Sequence, residues 1–178
     1  MNKATRNLEN DHVYILRLTE IMEHVTYNNE PDVNTLETIV DIIRNFADGI
    51  HHAKEEDILF PFLAEHGFSL SQGPVAVMIN EHETGRNFVR SMSENILLYK
   101  NGDPEALRKV YYYMRGYAQL LQSHISKENN ILFRMADKIL SDKDHEKLLA
   151  EFRNAESLKL PAAEYINKID SLAMMYEL

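Results

Sequence analysis

The chain has 178 residues with 28 acidic side chains, 19 basic side chains, eight His and no Cys, a length that suits one domain with its own core. Without Cys the chain cannot form a disulfide scaffold, a thiol nucleophile, a Cys-ligated zinc site or a ferredoxin-type cluster, so a metal would be held by nitrogen and oxygen. The formal net charge of −9 argues against nucleic-acid binding, and no apolar stretch reaches the roughly 18 residues of a membrane span, so we expect a cytoplasmic protein.

Gly and Pro cluster at a few places and leave four long segments between them, a pattern that predicts four helices. The segments run from about Thr5 to Tyr27, Asn34 to Glu65, Pro74 to Lys100 and Pro104 to Lys138. Pro61 removes one hydrogen bond from the second segment and predicts a kink or break between Asp57 and Pro61. Short connections favour antiparallel neighbours, so we expect an all-α, up-down-up-down four-helix bundle over residues 1–140.

Residues 141–178 predict a C-terminal helical tail. Helical spacing runs from Lys143 to Arg153 and from Pro161 to Tyr176, and we expect both helices to pack on the outside of the bundle. Neither helix shows a cluster of chemically reactive side chains. Association, as in a homodimer, is therefore the alternative role of the tail.

Each predicted long helix presents one His toward the core. With about 100° of rotation per residue, three of these His fall among the apolar residues of their helix and one lies at the edge of the apolar stripe. The four are His12, His52, His82 and His124. Two Glu residues share these faces, each four positions after a His, which makes them helix-face neighbours. They are Glu56, after His52, and Glu128, after His124.

Other His and Glu residues are interpreted differently. His51 and Glu55 fall on the far side of the second helix by the same rotation, which favours a solvated pair. Glu55 and Glu81 stay open as alternative or additional ligands, because a kink at Pro61 or a side-chain rotation could turn either inward. Tyr117 is either a core residue or a donor near the site. The remaining His, expected at the surface or at helix ends, are His24, His66 and His145.

The inward His and Glu residues are predicted to meet in one layer of the bundle. In an antiparallel pair, residues equidistant from the connecting turn lie side by side, and the misfit here is about two residues, or roughly 3 Å. Burying two carboxylates without a charge partner costs several kcal/mol per ion. No Lys is expected to point inward, and only Arg86 lies near that face. A pair of metal ions would supply the missing positive charge.

The predicted ligands indicate which metals fit. Imidazole and carboxylate without sulfur favour iron or manganese over copper(I) or structural zinc. Ferritin-like di-iron bundles use Glu-x-x-His on two helices. This chain has that spacing only from Glu9 to His12, which argues against a ferritin-like site.

Four motifs resemble the hemerythrin-like proteins of the HHE cation-binding domain family. They are NDHV with His12, HHAKEEDILFPFL with His52 and Glu56, INEHETGR with His82, and HISKENNILF with His124 and Glu128. The resemblance covers residues from about 8 to 140. It implies a non-heme di-iron centre with two oxo- or hydroxo-bridged iron ions, the four His as terminal ligands and the two Glu as bridges.

The sequence also departs from the oxygen-carrying members of that family. Those proteins place two His four residues apart on the third helix, whereas the positions four from His82 are Met78 and Arg86. Their fourth-helix carboxylate is an Asp five residues after the His, whereas Glu128 follows His124 by four. The departures argue against reversible O₂ carriage. The family's iron–sulfur-repair members carry an amino-terminal Cys segment, and this sequence has no Cys.

Three functions follow as hypotheses. The first is a di-iron protein that binds, senses or handles O₂, nitric oxide or peroxide, with an unspecified redox partner. The second is a di-iron enzyme for peroxide removal or ferrous oxidation. The third is a helical interaction module that the metal only stabilises. The residues alone do not decide whether the protein is an enzyme.

Overall fold

The computed structural model describes residues 3–27 and 31–178, and in these residues all regular secondary structure is helical. The predicted all-α class is therefore confirmed. Residues 1, 2 and 28–30 of the predicted bundle lie outside the described residues. The described part forms six helices. They are α1 (Ala4–Tyr27), α2 (Val33–Ile42, Ile43–His52, Glu55–Leu59 and Phe60–Glu65), α3 (Gly73–Lys100), α4 (Ala106–Lys127, Glu128–Leu132 and Phe133–Ile139), α5 (Asp142–Ser157) and α6 (Ala162–Met175).

Local sequence signals account for several helix starts. The Asp32 side chain accepts a hydrogen bond from the Asn34 amide at the start of α2. Ser141 and Asp144 form a capping box at the start of α5, each side chain accepting from the backbone of the other. Pro74 lies in the first turn of α3, where its missing amide hydrogen costs nothing.

Three segments wind as π-helix, and two of them lie in α2. They are Ile43–His52, Glu55–Leu59 and Glu128–Leu132. At the position of the predicted kink or break, between Asp57 and Pro61, a π segment ends and the α-helical turn that contains Pro61 begins. Hydrogen bonds of a π-helix run from residue i to i+5, so each residue turns through less than the 100° of an α-helix. Faces assigned at α-helical pitch are therefore displaced along α2.

The apolar core consists of two clusters with a polar layer between them. On α1, Leu8 belongs to the smaller cluster and Ile15 to the larger. On α3, Met78 belongs to the smaller cluster and Val89 to the larger. α2 and α4 change clusters in the same way, between Ile50 and Leu59 and between Ile125 and Leu132. The buried His and Glu side chains of α1 to α4 lie in these intervals, except His124, which directly precedes Ile125.

The two helices of the tail are present and pack against the rest of the chain. α5 contributes Leu148 and Phe152 to the smaller cluster. α6 contributes residues such as Tyr165 and Ile169 to the larger cluster. The Arg17 guanidinium on α1 also lies 2.5 Å from the carboxylate of Asp170 on α6. Both tail helices thus cover apolar surface of the longer helices.

Within the described residues, no helix has the length and apolar content needed to cross a bilayer.

Candidate metal centre

The polar layer contains five His and two Glu side chains, drawn from all four long helices. Each of these residues is at most 4% exposed. They are His12 on α1, His51, His52 and Glu55 on α2, His82 on α3, and His124 and Glu128 on α4. This concentration of ionisable groups between two apolar clusters needs a compensating charge.

The side chains form two groups of potential ligands. One consists of His52, Glu55, His82 and His124, and the other of His12, His51, Glu55 and Glu128. Within each group the ligand atoms lie within 4.8 Å of one another. Glu55 belongs to both groups. The layer therefore offers two adjacent cation positions that share a carboxylate.

Glu128 also lies between the two groups. Its Oε2 is 3.2 Å from His12 Nε2, and its Oε1 is 3.2 Å from His124 Nε2. Oε2 of Glu55 is 3.4 Å from His82 Nε2 and 3.7 Å from His51 Nε2. Each carboxylate thus approaches one His from each group, which is the placement that bridging two metal ions requires.

The inner nitrogens of the His residues face one another across short distances. His12 Nε2 lies 3.0 Å from His51 Nε2, and His82 Nε2 lies 3.1 Å from His124 Nε2. Two imidazole nitrogens this close must share a proton or face a common cation, because two lone pairs repel.

The outer nitrogens of the same rings are held by oxygen acceptors. The Nδ1 contacts are His12 to Asn129 (2.7 Å), His51 to Asp11 (3.3 Å), His52 to Asp48 (3.2 Å), His82 to Glu56 (2.7 Å) and His124 to Glu81 (3.0 Å). An Nδ1–H donated outward leaves the Nε2 lone pair pointing inward. Metal-binding His residues in proteins are usually oriented by such carboxylate or carbonyl acceptors.

The two inner carboxylates have no donors of their own. All four oxygens of Glu55 and Glu128 are buried, and none has a hydrogen-bond partner within the described residues. An unpaired buried carboxylate is strongly unfavourable. A pair of cations between Glu55, Glu128 and the five Nε2 atoms would satisfy all of these groups, so the residues present fit a metal pair.

The protonation states of three His residues suit metal binding. Burial lowers the pKa of His51 to about 4, despite the opposing effect of Asp11. Burial also lowers the pKa of His52 and His82, assisted by the neighbouring imidazoles. Neutral imidazole is the form that binds a metal. These three rings are therefore ready as ligands at neutral pH.

The pKa shifts of Glu55, Glu128 and His124 indicate that the layer lacks positive charge. Burial, together with the charge of Glu128, raises the pKa of Glu55 well above its usual range. Burial would lower the pKa of His124, but Glu128 and Glu81 outweigh it and raise that pKa to about 9. Burial would likewise raise the pKa of Glu128, but His124 and His12 hold it well below its usual range. These shifts have the directions expected where buried carboxylates lack a compensating cation.

Five of the six predicted site residues are brought together and the sixth is not. The five are His12, His52, His82, His124 and Glu128. The Glu56 side chain is 27% exposed and accepts hydrogen bonds from His82 Nδ1 and Arg86, both at 2.7 Å. Glu56 therefore lies outside both ligand groups and orients a His instead, and Glu55 takes the inner position.

The prediction of a solvated pair at His51 and Glu55 is wrong, because the two residues are 1% and 0% exposed. Its error lies in the helical pitch, since His51 is the penultimate residue of one π segment and Glu55 begins the next. Spacing did not distinguish this pair from His52 and Glu56, which are also four residues apart. His51 and Glu55 have the same four-residue spacing as His124 and Glu128.

A buried Lys contradicts the prediction that none points inward. Lys54 is 1% exposed, and its ammonium lies 2.6 Å from Asp11, 2.8 Å from Glu156 and 3.0 Å from the Asn7 side chain. Since Asp11 holds His51, this cation stabilises the outer rim of the layer. The three acceptors come from α1 and α5, and these contacts were not visible in local spacing.

The structure also shows where Glu81, Tyr117 and His145 lie. Glu81 accepts from His124 Nδ1 and is not a member of either ligand group. Tyr117 is buried in the larger cluster. His145, expected at the surface or a helix end, is 2% exposed, and its Nδ1 accepts a hydrogen bond from the Ala4 amide.

Comparison with known proteins agrees with this geometry. The sequence profile of the hemerythrin HHE cation binding domain matches residues 3–136. Similar curated proteins include the iron-sulfur cluster repair protein YtfE of Escherichia coli O157:H7, with 35% identity over 89 residues, and that of Escherichia coli O81 (strain ED1a), with 35% identity over 92 residues. Each match covers 48% of this chain and 40% of the relative, so the chain spans well under half of these relatives. No solved structure gave a significant match. With a family profile matching most of its length around the two His and Glu groups, this chain belongs to the hemerythrin HHE cation-binding domain family.

Proposed function

We propose that the protein binds two iron ions in the polar layer and uses them to bind and handle O₂, nitric oxide or peroxide. The observation that carries this function is the pair of buried carboxylates, Glu55 and Glu128, whose four oxygens have no donors in the described chain and lie between inward-facing imidazoles. An up-down-up-down arrangement of α1 to α4 is part of the same hypothesis, since such bundles build metal sites from facing helices.

The two ligand groups suggest how the ions would be divided. His52, His82 and His124 would hold one ion, and His12 and His51 the other. Glu55 and Glu128 would lie between the two ions. This set replaces Glu56 of the sequence-based prediction with Glu55 and adds His51 as a fifth imidazole.

The choice of iron has two supports. Nitrogen and oxygen donors without sulfur suit iron. The curated relatives are named as iron–sulfur cluster repair proteins. The match covers 40% of the length of such a relative. When bound, the iron ions would supply Lewis acidity, electron transfer and a position where a small ligand can bind.

The protein's own residues supply orientation and exclusion of water. The acceptors on Nδ1 fix each ring, so that five Nε2 atoms point to the same space. The apolar clusters cover the layer on both sides along the helices, and each of its His and Glu side chains is at most 4% exposed. In such surroundings, charges interact more strongly than they do in water.

The unequal division of His residues favours a second candidate function. One group contains three imidazoles and the other contains two. The ion with fewer protein ligands would have room for an additional small molecule, which supports the enzyme hypothesis of peroxide removal or ferrous oxidation. A purely metal-stabilised interaction module remains the third hypothesis, while the cytoplasmic location, a homodimer and the redox partner stay predictions.

Iron reconstitution with matched variants tests the proposed centre. We expect about two iron ions per chain in the wild type and in Glu56→Gln, because Glu56 only orients a His. Glu55→Gln should lose at least about one ion, because it removes a shared ligand. Metal analysis gives the counts. Less than about one iron in the wild type, or equal losses in the two variants, would contradict the proposed centre.

A further inference from the structure

A cavity of about 220 Å³ lies between α2 and α3 and reaches the candidate metal centre. His52 and His82 form its inner end, and their rings stack with centroids 3.8 Å apart. Both residues belong to the group with three imidazoles. A small molecule in this cavity would therefore lie next to the rings that carry two of the inner nitrogens.

One of the basic residues in the cavity wall is already neutralised. Arg86 lies 2.8 Å from Asp48 and 2.7 Å from Glu56, the acceptors that hold His52 and His82. This arginine is committed to orienting the two rings. Asp48 is the acidic side chain in the lining, and its charge is compensated by Arg86.

Two other basic residues in the wall are not neutralised. Arg44 donates a hydrogen bond to the Ser93 hydroxyl (2.7 Å), and Arg90 donates to the Asn87 side chain (3.0 Å). Neither guanidinium forms an ion pair within the described residues. In a protein with a formal net charge of −9, two unpaired positive charges at one opening create a local attraction for anions.

The lining of the cavity also includes a tyrosine of α4 and apolar side chains of α2 and α3. Tyr117 of α4 lines the cavity, and its ring packs against Gly85, where a Cβ would come within 3.1 Å of the ring. Burial, together with the charge of Asp48, raises the pKa of Tyr117, so its hydroxyl keeps its proton. Ile43 and Val89 complete the wall with apolar side chains. Arg44 and Arg90 are exposed, so water and salt screen part of their attraction for an anion.

We propose that this cavity binds a small singly charged oxyanion or short carboxylate, attracted by Arg44 and Arg90, beside His52 and His82. A water molecule in the liquid occupies about 30 Å³. The cavity thus has room for several heavy atoms, more than a diatomic ligand needs, and an anion would gain more from the two guanidinium groups than a neutral ligand of the same size. The role of the cavity as an approach to the iron ions rests on the proposed function. Anion binding itself does not require iron.

Acetate and acetamide are suitable probes, because they have nearly the same size and differ in charge. In an NMR titration of the metal-free protein, acetate should give saturable shifts at Tyr117, Arg44 and Arg90, and acetamide should not. The double variant Arg44→Gln/Arg90→Gln should weaken acetate binding about fivefold, as expected for two exposed charge contacts. Arg108→Gln/Arg153→Gln is the matched control, since it removes the same charge from residues outside the cavity lining, and it should leave binding unchanged.

Two results would overturn the anion pocket: equal shifts with acetamide, or equal weakening in the control variant. In manganese-loaded or iron-loaded protein, the methyl protons of acetate should also relax faster, and the Arg44→Gln/Arg90→Gln variant should reduce that increase. If metal binds but acetate causes neither shifts nor faster relaxation, the anion pocket is wrong while the metal centre stands. If no metal binds but acetate still titrates, the centre fails and the pocket stands.

Discussion

The ammonium group of Lys54 lies 2.6 Å from Oδ2 of Asp11, the oxygen that also lies 3.3 Å from His51 Nδ1. Lys54 is 1% exposed and also binds Glu156 of α5 at 2.8 Å. A single buried cation thus joins the tail helix α5 to the Asp that holds a His of the polar layer. The tail therefore stabilises the candidate metal centre from outside.

Replacing Lys54 should destabilise the protein through this contact. Lys54→Met would leave the Asp11 carboxylate without its cation, and we expect a loss of about 3 kcal/mol in the free energy of unfolding. Lys100→Met is the control, because Lys100 pairs with Glu37 at the surface and should cost less than about 1 kcal/mol. Denaturant unfolding of the metal-free proteins gives both values. Equal losses of unfolding free energy in the two variants would show that the buried contact stabilises the protein no more than a surface ion pair does.

The oxygen acceptors on Nδ1 should matter for metal affinity. Glu81→Ala removes the acceptor that orients His124, and we expect iron to bind roughly 10 to 100 times more weakly. Glu83 lies two residues away on the same helix, is 60% exposed and contacts no His, so Glu83→Ala is the matched control. Competition with a chelator measures the affinities. A similar loss in both variants would assign the effect to surface charge and not to ring orientation.

His145 gives a pH dependence that does not involve the metal ligands. Its Nδ1 accepts a hydrogen bond from the Ala4 amide, and burial lowers its pKa from 6.5, against the opposing charge of Asp137. Lys3, Asp142 and Asp144 are the other charged groups that act on it. Because the folded pKa lies below the unfolded value, the unfolded state binds more protons as the pH falls below 6.5. The contribution of His145 is therefore fully present above that pH and is lost as the pH falls through the folded pKa.

The test compares wild type with His145→Gln from about pH 7 to about pH 5. The unfolding midpoint of the wild type should fall further than that of the variant. The difference between the two isolates His145 from the other buried His, since distant contributions add. His66→Gln, at an exposed His, should behave as the wild type does. Parallel curves for wild type and His145→Gln would refute the assignment.

The sequence predicted the layer where the helices wind regularly. His12 and His82 lie in uninterrupted α-helix, and His124 and Glu128 precede or begin the π segment of α4, so α-helical pitch gave their faces correctly. In α2 the pitch changes through Ile43–His52 and again through Glu55–Leu59. An error that grows with each residue moved Glu55 to the outside and Glu56 to the inside. No local sequence pattern predicted the first π segment.

The burial of side chains by partners distant in the chain could also not be predicted from the sequence. Lys54 is enclosed by acceptors from α1 and α5, which lie 43 and 102 residues away at Asp11 and Glu156. His145 is buried against the first turn of α1, 141 residues from Ala4. Helical periodicity describes one helix at a time. It contains no information on which helix end will cover a given side chain.

The most direct test of the metal centre is a crystal structure of the iron-loaded protein with anomalous diffraction measured at the iron edge. We expect two iron peaks, one beside His52, His82 and His124 and the other beside His12 and His51. Glu55 and Glu128 should lie between the two peaks, with Glu56 on the outer side of His82. A single peak, or a peak bound by Glu56 with Glu55 outside the site, would contradict this account.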